Sequence, residues 1–196
     1  MPQSKRDKPD TPLRSDAQRN RERILEVATE ELTHCANAPL SAIAKKAGVG
    51  QGTFYRNFPN REALVLEVYR YGMQQVADAA HELLATREPD LALREWMDRL
   101  AEFAMTKAGL ADAIRLVTSA PGAPEKPRPT PVMDAAELLL RANEKAGTIR
   151  PGVSGDDFFL VIGGLWLIGP GEDWQPRVTR FLDFVMDGLR AGAPRR

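Results

Sequence analysis

Leu40–Leu66 reads LSAIAKKAGVGQGTFYRNFPNREALVL. Its spacing predicts a short helix with Ile43, Ala44 and Ala47 on one face, a tight turn at Gly48-Val49-Gly50, and a second short helix carrying Thr53, Phe54, Tyr55 and Phe58. Two brief amphipathic helices joined by a glycine turn of about three or four residues form a helix-turn-helix. The second helix of such a unit enters the major groove of double-stranded DNA. Double-stranded DNA is therefore the partner that this stretch implies.

The residue chemistry fits that partner. Gly50 and Gly52 remove side chains at the start of the second helix, so its backbone can approach DNA and its unpaired N–H groups can meet phosphate. Gln51, Thr53 and Arg56 are candidates for the groove. Gln pairs bidentately with adenine, Arg does so with guanine, and the Thr methyl touches thymine. Tyr55, Asn57 and Arg61 are candidates for phosphate, which fixes position and not sequence. Lys45 and Lys46 are candidates for further backbone contacts. Phe54 and Phe58 read as core, and Tyr55 reads equally as core or contact. The charged residues have an alternative reading as solvated surface.

Working outward, residues 1–14 combine three prolines with mixed charge and read as a flexible arm. Ser15 with Gln18 reads as a capping box opening a helix to about His34, with Ile24, Val27, Ala28 and Leu32 on one face. Pro39 suits the first turn of the next helix. Asn60 is a good N-cap for a long helix ending near Ala85, striped by Leu64, Val68, Gly72, Val76, Ala79 and Leu83.

Pro89-Asp90 opens a further helix bearing Leu93, Trp96, Met97, Leu100, Phe103 and Ala104, and a short helix is expected near Leu110–Thr118. Five prolines between Pro121 and Pro131 predict a loop. Val132–Ala146 reads as helix closed by Gly147, and Ser154 with Asp157 caps another. The segment FFLVIGGLWLIG is too short to span a membrane and reads as a helix buried on several faces. A last helix follows Asp173. No β alternation is seen. The expected fold is all-α with about nine helices: a flexible arm (1–14), a three-helix helix-turn-helix DNA-binding domain (15–60) and a helical body (61–196), whose role the family resemblance below implies to be ligand binding and dimerisation.

Charge is placed unevenly although the total is zero. Residues 1–70 hold 12 Lys/Arg and 9 Asp/Glu, a net of +3, leaving −3 on the remainder. A slightly basic head suits a protein that touches phosphate at one end. No run of about 18 apolar residues exists, so no membrane partner is expected. Lys5, Arg6 and Lys8 are followed by no apolar stretch, so no secretory signal is expected. The single Cys35 fits a reducing compartment; the expected location is cytoplasmic and nucleoid-associated. His34, His81 and Cys35 are too sparse for a zinc site, and His34 and Cys35 point about 100° apart on a helix. No enzyme chemistry, metal or cofactor is expected.

The stretch GVGQGTFYRNFPNREAL resembles the helix-turn-helix signature of the tetracycline-repressor (TetR) family of bacterial transcriptional regulators. The resemblance covers about residues 16–68 and rests on Ile43-Ala44, Ala47-Gly48-Val49, Gly52-Thr53, Tyr55, Phe58, Arg61 and Leu64. It implies a homodimeric repressor that binds a palindromic operator and is released by a small effector bound in the C-terminal domain. It also implies that Gln51, Thr53 and Tyr55 lie at bases or nearby phosphate, and that Asn57 and Arg61 lie at phosphate. Gly50 replaces the usual Ser at the recognition-helix N-cap, and HCANAP is shorter than the usual connection.

The apolar helix at Phe158–Ile168 and the final helix resemble the family's four-helix dimer interface. Phe158, Ile162, Leu165, Trp174, Val178, Phe181, Leu182 and Val185 are the interface candidates, with Gly163-Gly164 allowing close approach. Trp96, Met97, Phe103, Met105, Met133, Leu165 and Trp166 are candidates for an adaptable apolar pocket taking a hydrophobic effector. Arg99 or Arg115 is a candidate partner for an anionic group on it. The competing reading is a DNA-binding regulator without a small-molecule ligand, controlled by a protein partner or by dimerisation alone. An α-helical enzyme carrying the element is the third.

Overall fold

Helix boundaries follow the glycine, proline and asparagine punctuation of the sequence. The computed structural model describes residues 11–35, 37–109, 130–169 and 173–194. They form α1 (Thr11–His34), α2 (Leu40–Lys46), α3 (Gln51–Asn57), α4 (Arg61–Thr86), α5 (Pro89–Gly109), α6 (Thr130–Ala146), α7 (Gly155–Ile162), a 3-10 helix (Gly163–Leu167) and α8 (Trp174–Arg190). The fold is all-α, with no strand among the described residues.

Local chemistry explains the ends. Asn60 opens α4, its side-chain oxygen accepting from the Ala63 N–H at 2.8 Å. Ser154 opens α7 in the same way, accepting from Asp157 N–H at 3.1 Å. Two helices close with a left-handed glycine. At the end of α2, Gly48 has φ +68°, and the Val49 N–H returns to the Ala44 carbonyl at 3.1 Å. At the end of α6, Gly147 has φ +69°, and the Thr148 N–H returns to the Asn143 carbonyl at 3.0 Å.

Two apolar cores result. In the head, Ile24, Ala28 and Leu32 of α1 meet Ile43 and Ala44 of α2, Phe54 of α3 and Phe58. In the body, Leu93, Trp96 and Met97 of α5 meet Leu139 of α6, Phe158 and Ile162 of α7, and Val178 and Leu182 of α8. Helix α4 serves both. Leu64, Val65 and Val68 belong to the head core, and Met73, Val76, Ala80 and Leu83 to the body core. At about 1.5 Å per residue, its 26 residues run about 39 Å. Trp96 fastens α5 to it by donating its indole N–H to the Val76 carbonyl at 2.8 Å.

Several expectations change. Helical backbone begins at Thr11, so Ser15 lies inside α1 and does not cap it. Thr130 and Pro131 start α6, because proline is accepted in a helix's first turn; the rest of the proline-rich stretch and the expected helix near Leu110–Thr118 lie outside the described residues. The segment around Phe158–Ile168 is not buried on several faces. Its α-helix ends at Ile162, a 3-10 turn continues it, and Leu160 and Leu167 stand 82% and 87% exposed.

One buried polar residue ties the body together. Asn143 is fully buried on α6. Its amide N–H groups donate to the Pro89 carbonyl at 2.7 Å and the Leu139 carbonyl at 2.9 Å. Its side-chain oxygen accepts from the Thr148 hydroxyl at 2.7 Å. Asn143→Ala strands these partners in an apolar setting. We expect it to lower stability by about 1–3 kcal/mol, read as a fall in the urea midpoint at unchanged slope.

Candidate nucleic-acid interface

The position of α3 is set from its inner side. Phe54 and Phe58 are completely buried, with ring centroids 5.8 Å apart. Each ring contributes about 1.5–3 kcal/mol of burial. Arg21 of α1 lies over the Phe58 ring at 5.0 Å and pairs with Glu67 of α4, which also holds Arg70 at 2.7 Å. Arg21 thus links α1, the end of α3 and α4. Sequence reasoning missed it, because an arginine one turn from Ile24 carries no mark of what lies across the fold. Lys46 of α2 reaches back to α1, meeting Glu31 at 2.9 Å and Glu30 at 3.0 Å. Its hydrogen bonds to Glu31 and Glu30 raise its pKa above the ordinary lysine value.

With the inner side fixed, the outer side is determined. Gln51, Gly52, Tyr55 and Arg56 are exposed on α3, and Thr53 and Asn57 are half-buried. Gln51 donates to the Ser41 carbonyl of α2 at 3.4 Å. Arg56 folds along its own helix, donating to the Gly52 carbonyl at 3.1 Å and the Thr53 hydroxyl at 3.2 Å. Asn57 donates to the Thr53 carbonyl at 2.9 Å. Tyr55 is 44% exposed and meets Phe54 edge-on. Lys45 and Gly50 are exposed beside this surface. Arg61 stands apart as a half-buried tie, donating to the Ala38 carbonyl and so joining α4 to the α1–α2 connection.

The glycines separate architecture from surface. Gly48 needs its positive φ for the turn. Gly50 caps α3 with an ordinary φ of −66°, and a Cβ at Gly50 or Gly52 would meet nothing within 4 Å. The fold requires no glycine at either place. What their missing side chains do is leave the N-terminal turn of α3 open to close approach from outside.

The body candidates are not gathered into one pocket. Trp96, Met97, Met105 and Leu165 are buried in core packing, Met133 is half-buried, and Trp166 is 44% exposed. Of the seven, Phe103 lines a cleft between α1, α4 and α5. The interface candidates also lie inward. Phe158, Ile162, Leu165, Val178, Leu182 and Val185 are buried in the chain's own core, while Trp174 and Phe181 are half-buried against it. Gly164 packs against Phe181 of its own chain, 3.1 Å from where a Cβ would stand. On α7, the 3-10 turn and α8, the large apolar side chains turned outward are Leu160, Val161, Trp166, Leu167 and Phe184.

Residues 24–68 match the family model described as bacterial regulatory proteins, tetR family. Residues 88–191 match that of the transcriptional regulator SbtR-like, C-terminal domain. A TetR transcriptional regulator from Streptomyces coelicolor is 38% identical over 87% of this chain and 98% of its own, with a TM-score of 0.79. A TetR transcription regulatory protein from Mycobacterium vanbaalenii is 33% identical over 91% of this chain and 99% of its own, with a TM-score of 0.70. No curated protein sequence matches the chain.

Two glycine substitutions separate folding from surface. Gly52→Ala is expected to leave stability unchanged or raise it by up to about 1 kcal/mol, since alanine favours helix, while DNA affinity falls. Gly48→Ala is expected to cost about 1 kcal/mol through its left-handed backbone. Thermal melts and fluorescence anisotropy with labelled DNA check both.

Proposed function

The chain belongs to the TetR family of bacterial transcriptional regulators, and from that premise we propose that it is a dimeric repressor of a palindromic operator, released by a small effector. The observation that carries the reading is the outer side of α3. Gly50 and Gly52 leave it open where the fold needs no glycine, beside exposed Gln51, Tyr55 and Arg56. The N–H groups of the first turn of α3 are suited to phosphate. Gln51, Thr53 and Arg56 supply groove chemistry, and Tyr55, Asn57 and Lys45 supply phosphate contacts. Unfolding Arg56 from Gly52 and Thr53 frees its planar fork for a base. Arg61 serves mainly to set α4 against the α1–α2 connection.

Dimerisation uses the outward apolar side chains of α7, the 3-10 turn and α8. Leu160, Leu167 and Phe184 are each more than three-quarters exposed, and large contiguous apolar surface marks an interface. Gly188, four residues after Phe184 on the same side of α8, has open space around its missing Cβ and admits a close partner backbone. Two heads held by that contact read half-sites about 34–36 Å apart or a multiple of it. The working location is with the nucleoid in the cytoplasm. No helix among the described residues is long and apolar enough to cross a membrane.

A second reading dispenses with the small effector and gives control to a protein partner or to dimerisation alone. The burial of Trp96 and Met97 in solid core favours it. A small molecule that binds the DNA-free protein more tightly than the DNA-bound protein would decide for the first reading.

Selection of bound fragments from random DNA by the purified protein is expected to return an inverted repeat. Affinity for that repeat should fall steeply with added salt, as counterion release requires. Fragments without two-fold symmetry would defeat the dimeric reading. Phe184→Glu is expected to shift the protein to monomer in sedimentation velocity and to abolish high-affinity binding of the repeat, with the helical circular dichroism retained.

A further inference from the structure

We propose that the cleft between α1, α4 and α5 binds a small organic cation with a flat aromatic body. Its regulatory meaning rests on the repressor reading above; its chemistry stands on the cleft alone. The cleft holds about 430 Å³ and is lined from three helices, of which α1 packs in the head and α5 in the body.

Its floor is apolar, formed by buried Val68 and Val76 at the point where α4 passes from one core to the other. Its walls are aromatic. Tyr69 and Phe103 face each other with ring centroids 5.6 Å apart, and Tyr71 stands beside them. Gly72 makes this wall possible, because a Cβ there would fall 2.8 Å from the Phe103 ring. Its rim is acidic. Glu26 and Glu30 of α1 and Glu102 of α5 line it together with Arg99, and Glu30 is also paired with Lys46 of α2 at 3.0 Å. Arg99 directs its guanidinium toward Glu82, outside the cleft, at 3.8 Å. Glu26 accepts from the Tyr71 hydroxyl at 3.3 Å, which orients a carboxylate over the aromatic wall.

Aromatic faces and carboxylates attract the same species. A cation gains from the ring quadrupole and from the acidic rim, and an anion is repelled by both. A flat apolar body covers the Val68–Val76 floor. Burial raises the pKa of Tyr69 and of Tyr71, so both phenols stay neutral near pH 7. A cation seated here touches Glu26 from the head and Glu102 from the body. It therefore distinguishes one head–body angle from another, which is the differential contact that an allosteric ligand requires.

The test uses two xanthene dyes of opposite charge, rhodamine 6G (cationic) and fluorescein (anionic), with the DNA-free full-length protein and fluorescence anisotropy. Rhodamine 6G is expected to bind at least about tenfold more tightly than fluorescein. The double variant Glu26→Gln/Glu102→Gln keeps the shape and is expected to lose about tenfold of the rhodamine affinity. Gln75→Trp, at an exposed position on the cleft wall, is expected to abolish binding of the cation by filling the space. Equal affinity for the two dyes, or undiminished rhodamine binding in both variants, overturns the site. A protein that selects its operator but shows no dye preference refutes this site and leaves the repressor reading standing. Dye binding with the expected variant losses, but with operator affinity unchanged by dye, upholds the site and refutes its role as the release switch.

Discussion

Everything in this molecule hangs on α4 being one unbroken helix with membership of two cores. Leu64, Val65 and Val68 are packed among the head helices, and Met73, Val76, Ala80 and Leu83 among those of the body. The handover occurs within about one helical turn, from Val68 to Met73. A rotation of the head relative to the body must therefore bend α4 there, or slide one of its faces out of a core. Sliding costs several buried side chains at about 1.5–3 kcal/mol each. Bending at Gly72, where the helix is weakest, costs less. The ring of Phe103 lies against that glycine, so α5 senses any such bend directly.

The ties around this junction show which contacts hold and which can yield. Arg21 stacks on Phe58 and pairs with Glu67, and Lys46 holds Glu30 and Glu31, so the three head helices are bound to one another by side chains from several directions. Trp96 and Asn143 do the same for the body, each through a side-chain hydrogen bond to a backbone carbonyl of another element. At the cleft, the longer contact from the Tyr71 hydroxyl to Glu26 joins α4 to α1 on the head side.

The head was almost wholly legible in the sequence and the body only in outline, and the reason is range. Helix caps, glycine turns and an amphipathic stripe are local, so Asn60, Gly48, Gly147 and the face of α4 could be read directly. Phe54 and Phe58 could be assigned inward because only one side of a seven-residue helix is apolar. The segment from Phe158 to Ile168 has no polar side to break the symmetry. Periodicity identifies such a helix but not which flank meets its own chain. Phe158, Ile162 and Leu165 turned inward, and Leu160, Val161 and Leu167 turned outward. Likewise Trp96 and Met97 were aromatic and sulfur-bearing enough to suit a pocket, yet packing consumed them. The cleft was hidden because its lining comes from three helices and spans the sequence from Glu26 to Phe103.

The glycines make the division between structure and surface sharper than hydrophobicity does. Gly48, Gly147 and Gly192 occupy left-handed backbone, Gly72 and Gly164 admit an aromatic ring against a helix, and each is accounted for inside the chain. Gly50, Gly52 and Gly188 have ordinary backbone and empty space where a side chain would go. Glycine in a helix costs up to about 1 kcal/mol relative to alanine. Gly52 and Gly188 bear this cost inside helices with no side-chain contact in the chain that requires a glycine. Under the proposed function, α3 offers its open backbone to an anionic groove and α8 its open face to a second apolar helix. The two faces lie on opposite cores, and among the described residues α4 is the helix that belongs to both.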